Sequence, residues 1–107
     1  AWKAARAGQR LPDGSIILRV NYKAEKDATG KDAPGVVQSY NGMESGEGWG
    51  KDIPALLRNE NWDYALFTAD KRRRDELNQA QCLACHKPAA ADSFVFTMTQ
   101  LKAAAAK

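Results

Sequence analysis

The clearest hydrophobic pattern in the sequence is an alternation of apolar and polar positions over residues 15–22, SIILRVNY. Such alternation is typical of a β-strand, because successive side chains point to opposite faces of a sheet. A shorter run over residues 36–40 predicts a second strand, and WDYALFT over residues 62–68 predicts a third. In the first strand one face carries Ile16, Leu18, Val20 and Tyr22, and the other carries Ile17, Arg19, Asn21 and Lys23.

Turn-forming residues separate these predicted strands. The Pro-Asp-Gly sequence at residues 12–14 predicts a turn before the first strand, and the charged residues 24–33 predict a loop after it. Glycines recur through residues 42–50 and predict a flexible loop. Their spacing matches neither of the common phosphate-binding glycine motifs, so we interpret them as loop geometry. This loop contains Met43, Glu44 and Trp49.

The predicted helical segments are short. Residues 1–8 are typical of the end of a helix that stops at a glycine, and residues 54–59 predict a single helical turn. Asp70 is placed to cap a helix that begins at Lys71. The alanine-rich residues 101–107 predict a frayed terminal helix.

Strands that come first and helices that come last predict an α+β fold. We expect a small, mainly antiparallel β-sheet with short helices, and a C-terminal helix that runs through residues 81–86 and stops before Pro88. The length of 107 residues suits a single domain over residues 1–107.

Composition and charge exclude several classes of protein. Apolar residues make up 44% and charged residues 27%, which is ordinary for a soluble globular chain. The net charge of +3 is too small to indicate nucleic-acid binding, and no apolar run approaches the ~18 residues of a membrane span. The basic residues 71–74 are typical of a solvated helix face, and the alternative is a docking patch for an acidic partner.

Residues 82–86, Cys-Leu-Ala-Cys-His, carry the candidate chemistry. This is the spacing of covalent c-type haem attachment. Positions i and i+3 lie on one side of a helical turn, so the thiols of Cys82 and Cys85 can reach both vinyl groups of one haem. His86 follows directly and can supply the proximal iron ligand. The motif predicts one covalently bound haem c.

Other uses of the motif have weaker support. A redox-active Cys pair is usually found in a βαβ context, and no such pattern is visible. A structural zinc site needs four ligands, so a carboxylate would have to complete it, because Cys82, Cys85 and His86 are the only Cys and His residues. A disulfide between Cys82 and Cys85 would constrain very little chain.

The motif also predicts a cell compartment. The sequence begins Ala1-Trp2-Lys3 without an initiator Met and without a signal-peptide pattern, which indicates a mature form or a fragment. Because covalent haem attachment normally takes place outside the cytoplasm, we expect a removed export signal and a periplasmic location.

Several segments resemble the cytochrome P-460 family, which includes the beta type of cytochrome c′. These are Pro12-Asp13-Gly14 before a strand, Tyr40 to Glu44, Asn61-Trp62-x-Tyr64, the Cys82-x-x-Cys85-His86 motif, and Asp92 to Thr97. The resemblance implies a largely antiparallel β fold with a haem c, often dimeric, with a proximal His at His86. It also implies a sixth iron site that is open to nitric oxide or carbon monoxide, or to hydroxylamine in the catalytic branch.

The chain departs from that family at two points. The catalytic branch bonds a lysine to the porphyrin edge, and the matching position here is Arg19. Arginine stays protonated, so we interpret Arg19 as a surface residue or a partner of the haem propionates. Lys23 lies on the same strand face but about 13 Å further along. The segment before Pro12 is also shorter than in the family, which leaves a sheet edge unpaired and predicts a homo-oligomer or a subunit of a larger complex.

Three functions follow, in order of preference. The first is a gas-binding haem protein, with Phe94 and Phe96 near the haem and Tyr40, Trp49 and Phe67 as further pocket candidates. The second is electron transfer to a redox partner protein, with Met43 or Met98 as an internal sixth ligand. The third is an oxidoreductase acting on a small nitrogen compound, in which Glu44 acts as a catalytic proton relay. We therefore favour a protein that is not an enzyme.

Overall fold

A computed structural model describes all of residues 1–107 and shows a three-stranded antiparallel sheet with short helices. The predicted α+β class is confirmed. The strands are β1 (Ile16–Lys26), β2 (Asp32–Ser45) and β3 (Trp62–Thr68), in the order β1-β2-β3. The helices are α1 (Trp2–Arg6), α2 (Ala80–His86) and α3 (Met98–Ala105), with 3-10 turns at Ala55–Leu57 and Lys87–Asp92.

Strands β1 and β2 form a hairpin that is longer than the sequence pattern predicts. The predicted loop over residues 24–33 contracts to a turn over residues 27–31. In this turn the Asp27 carboxylate accepts hydrogen bonds from the Thr29 N–H at 2.8 Å and the Lys31 N–H at 3.1 Å. These bonds satisfy the backbone within a tight turn, so strand pairing extends to the ends of both strands.

Strand β2 contains residues that the sequence predicts as a flexible loop. Met43 pairs with Ile17 of β1 on one side and with Tyr64 of β3 on the other. The backbone groups of a central strand are hydrogen-bonded on both sides. This pairing overrides the local turn preference of Gly42. The predicted loop is therefore wrong up to Ser45, after which the irregular segment begins.

The two faces of the sheet have different environments. The row formed by Ile17, Met43 and Tyr64 packs in the core beneath the helices. On the opposite face, Ile16 is 63% exposed and Leu18 is 55% exposed. The alternation identifies β1 as a strand but does not show which of its faces is buried. The buried face is that of Ile17, because Met43 of β2 and Tyr64 of β3 place their side chains there.

The free edge of β3 is covered by the segment that follows it. Leu66 O accepts a hydrogen bond from the Arg74 N–H at 2.8 Å, and the Thr68 N–H donates to Arg72 O at 2.9 Å. The predicted helix beginning at Lys71 is wrong, and Lys71 itself has a left-handed backbone with a φ of +67°. The edge of a sheet needs backbone partners, and an extended segment supplies them where a helix could not.

The hydrophobic core lies between the inner face of the sheet and the segments that flank it. Helix α1 packs against α3, so the two ends of the chain meet. None of the helices combines the length and the hydrophobicity that crossing a membrane would require. The buried core residues are Ala5, Leu11, Met43, Trp62, Tyr64, Phe94, Val95 and Met98.

Candidate cofactor site

Helix α2 brings the three side chains of the Cys-x-x-Cys-His motif to one cavity. The helix is favoured by its alanines and leucine, and the Asn78 carboxamide oxygen accepts the Ala80 N–H at 2.8 Å where the helix begins. Cys82, Cys85 and His86 all line a cavity of about 630 Å³ between α2 and the sheet. Pockets that hold large organic ligands have volumes of ~300–1,000 Å³, so the cavity has the size of a cofactor site.

The imidazole of His86 is held by a hydrogen bond on one nitrogen. Nδ1 lies 2.7 Å from the carbonyl oxygen of Phe94, which can only accept, so Nδ1 carries the proton. The lone pair is therefore on Nε2, the nitrogen that binds iron in this tautomer. The ring lies between Tyr64, at a centroid distance of 5.2 Å, and Phe96, at 4.6 Å. These contacts fix the orientation of the His86 ring.

The two cysteines are free thiols. Cys82 is half-buried and Cys85 is exposed, and no disulfide joins them. No group of three or more His, Cys, Asp or Glu side chains comes together as a metal site, so the zinc interpretation lacks its remaining ligand. Two accessible thiols and one imidazole with a free lone pair, all facing a large cavity, fit a haem.

Arg19 lines the same cavity. Its guanidinium donates to Oδ1 of Asn41 at 2.9 Å, and the Asn21 amide donates to the same oxygen at 2.6 Å. Arg19 remains exposed, so most of its donor groups are free for an anionic partner. The remaining donor groups of Arg19 are therefore available to an anionic group in this cavity.

The aromatic candidates divide into two groups. Phe96 lines the cavity, whereas Phe94 is buried beside it and contributes its carbonyl group to His86. Tyr40 and Phe67 do not line this cavity. Trp49 lines instead a second cavity of about 550 Å³, and Tyr64 lines both cavities.

The remaining predicted residues are also separated by the fold. Met43 is buried in β2 and lines the cavity, whereas Met98 is buried in the core away from it. Glu44 is exposed and lies in the row of Ile16 and Asp63, on the other face of the sheet. The fold does not bring Glu44 to the cavity, and Lys23 lies outside it as well.

Sequence reasoning missed Asn59. This side chain is completely buried and donates to Tyr64 Oη at 2.9 Å and to the Leu83 carbonyl of α2 at 3.0 Å. Burial raises the pKa of the Tyr64 phenol, so this partner remains a neutral hydroxyl. A lone asparagine before a strand is usually a turn residue, so nothing in the sequence distinguishes it.

A comparison with curated proteins gave no match to the sequence. The family model described as Cytochrome P460 matches residues 1–97, which is most of the chain. The matched region contains β1, β2, β3 and α2. The chain therefore belongs to the cytochrome P460 family and is a haem-binding cytochrome.

Proposed function

We propose that this cytochrome carries one haem c, bound covalently through Cys82 and Cys85 and ligated axially by Nε2 of His86. The observation that carries the proposal is that these three side chains face one cavity while Nδ1 of His86 is occupied by the Phe94 carbonyl. When bound, the haem would supply an iron that coordinates small molecules and changes oxidation state. Arg19 would pair with a propionate at the cavity mouth.

We further propose that the sixth iron position is open and binds nitric oxide or carbon monoxide. The chain has a single histidine, so no second imidazole can close the site. Met98 is buried in the core and does not line the cavity. The apolar side chains that do line it, among them Ile17 and Val95, favour a small neutral ligand over an ion.

Electron transfer is the second candidate, because Met43 lines the same cavity and could act as a sixth ligand. Its position argues against that role. Met43 is held in the centre of β2 and pairs directly with Tyr64, whose ring packs against His86. A thioether anchored beside the proximal histidine is poorly placed to reach the opposite side of a haem. An oxidoreductase ranks third, because Glu44 lies outside the cavity.

We also propose that the protein is periplasmic and forms a homo-oligomer. Support for self-association comes from the face of the sheet opposite the core, where Ile16 and Leu18 are each more than half exposed. Apolar residues grouped on one sheet face are typical of an interface. An Ile16→Lys variant should lower the molar mass measured by light scattering, because Ile16 is exposed and lies outside the cavity. An unchanged mass would exclude this face as the interface.

The absorption spectrum of the reduced protein with and without carbon monoxide tests the open site. A broad high-spin Soret band that sharpens and shifts with the gas supports the proposal. A sharp low-spin spectrum that ignores the gas overturns it in favour of an internal sixth ligand.

Covalent attachment is tested separately by the double variant Cys82→Ala, Cys85→Ala. Acid-acetone should extract all haem from this variant and none from an Ala84→Ser control, which changes an exposed residue of the same helix that does not line the cavity. Haem that stays with the denatured double variant would refute thioether attachment.

A further inference from the structure

Ser93 and Phe94 form an unusual turn directly after the 3-10 segment Lys87–Asp92, which itself follows helix α2. Ser93 has a φ of +55° and Phe94 a φ of +62°, so two successive residues that are not glycine adopt the left-handed conformation. Residues with a Cβ rarely adopt this conformation, and an aromatic residue does so least readily. Such backbone strain persists only where surrounding contacts enforce it.

The turn determines the direction of the Phe94 carbonyl group. It directs the Phe94 carbonyl to Nδ1 of His86, while the Phe94 N–H donates to Ala89 O at 2.9 Å. With Phe94 in an ordinary right-handed or extended conformation, its carbonyl would point elsewhere and the 2.7 Å contact with His86 would be lost. The strained backbone is therefore coupled to the orientation and tautomer of the histidine.

A long-range hydrogen bond from the N-terminal segment fastens Ser93 in this turn. The Leu11 N–H donates to Oγ of Ser93 at 3.0 Å, across 82 positions in sequence. Both residues are buried, with 9% of Leu11 and 3% of Ser93 exposed. A buried N–H without an acceptor is costly in free energy. The Leu11 N–H therefore holds Oγ of Ser93, and with it the turn, in position.

We propose that Ser93 is a positioning residue that acts on His86 through the turn, and so sets how strongly the imidazole donates to iron. This inference rests on the proposed function, in which His86 is the axial ligand. A strong Nδ1–H···O=C bond increases the basicity of Nε2 toward a metal. Loss of the Ser93 anchor lets the Phe94 carbonyl move, weakens that bond and makes His86 a poorer donor. The oxidised haem protein then loses stabilisation relative to the reduced form.

The test compares Ser93→Ala with the native holoprotein by resonance Raman spectroscopy and potentiometry. The variant keeps a Cβ at this position but removes the acceptor of the Leu11 N–H. The iron–histidine stretching frequency of the reduced protein should fall, and the reduction potential should rise. A folded, haem-loaded Ser93→Ala protein in which neither quantity changes would overturn the proposal.

Ser15→Ala is a matched control. Ser15 is also 3% exposed, but its hydroxyl has no hydrogen-bond partner, so its removal should leave both quantities at native values. If Ser93→Ala fails to fold, Ser93→Gly replaces it, because glycine adopts a positive φ without strain. The glycine variant should show the same two shifts, and their absence would equally refute the proposal.

The same measurements separate this inference from the proposed function. A native protein without any iron–histidine band, or with a low-spin spectrum, contradicts His86 ligation with an open sixth site. A native protein with the band, together with a Ser93→Ala variant whose band and potential are unchanged, contradicts only the role of Ser93.

Discussion

The buried side chain of Asn59 holds Tyr64 and helix α2 together by donating one amide hydrogen to Tyr64 Oη at 2.9 Å and the other to Leu83 O at 3.0 Å. Tyr64 in turn packs against His86, so the asparagine connects the sheet to the helix that carries the motif. Because Asn59 is completely buried, neither bond can be replaced by solvent.

We expect Asn59→Ala to lower the free energy of unfolding by about 2 kcal/mol or more, since it leaves a buried carbonyl and a buried hydroxyl without a donor. Tyr64→Phe removes only one of the two bonds and should cost less, about 1 kcal/mol. Denaturant unfolding of both holoproteins measures the difference. Equal losses in the two variants would show that the bond to Leu83 contributes nothing.

Met43→Leu should leave the absorption spectrum and the carbon monoxide response of the protein unchanged. The substitution keeps the volume of a core side chain, so it should cost less than ~1.5 kcal/mol of stability. Met43→Ala should instead destabilise by ~2–5 kcal/mol because it opens a cavity in the core. A spectral change in the leucine variant, with stability retained, would identify Met43 as an iron ligand and favour electron transfer.

Arg19→Ala should lower the haem reduction potential, because removing a positive charge at the cavity favours the oxidised, more positively charged iron. Arg19→Lys keeps the charge and should stay closer to the native potential. Spectroelectrochemical titration of the three proteins measures the order. A native potential in Arg19→Ala would mean that the guanidinium lies too far from the haem to act on it.

The hairpin turn makes a prediction about pH. The Thr29 hydroxyl, together with the backbone of Thr29 and Lys31, holds the pKa of the Asp27 carboxyl below its ordinary value of 3.8. Because the pKa of Asp27 is lower in the folded than in the unfolded chain, the ionised carboxylate stabilises the turn at pH values above the ordinary pKa. This stabilisation is lost as the pH falls through the pKa of the folded state. Thr29→Val should raise the pKa of Asp27 in an NMR titration, whereas Lys31→Gln keeps the backbone donor and should not. A native pKa in Thr29→Val would exclude the hydroxyl as the cause.

Local patterns predicted some elements well. WDYALFT defines β3 with the bounds Trp62–Thr68, and the turn at residues 54–59 contains the 3-10 segment Ala55–Leu57. The strand around Ile16 was predicted but extends to Lys26, because pairing with β2 continues beyond the alternating pattern. The helix expected from Lys71 fails for a tertiary reason, since the edge of β3 takes that segment as a backbone partner.

Local sequence patterns identify the candidate chemistry, because thiols at i and i+3 with an adjacent imidazole are an arrangement that one helical turn brings together. They also indicate the fold class, which follows from the periodicity of short segments. Which residues share the cavity depends on the packing of the whole chain: Arg19, Met43 and Phe96 line it, and Glu44 does not. The tertiary structure also decided that Ser93 and Leu11 meet across 82 positions and that Asn59 joins a strand to a helix. These contacts depend on the packing of distant segments against one another, and a sequence pattern within a single segment contains no information about its distant neighbours.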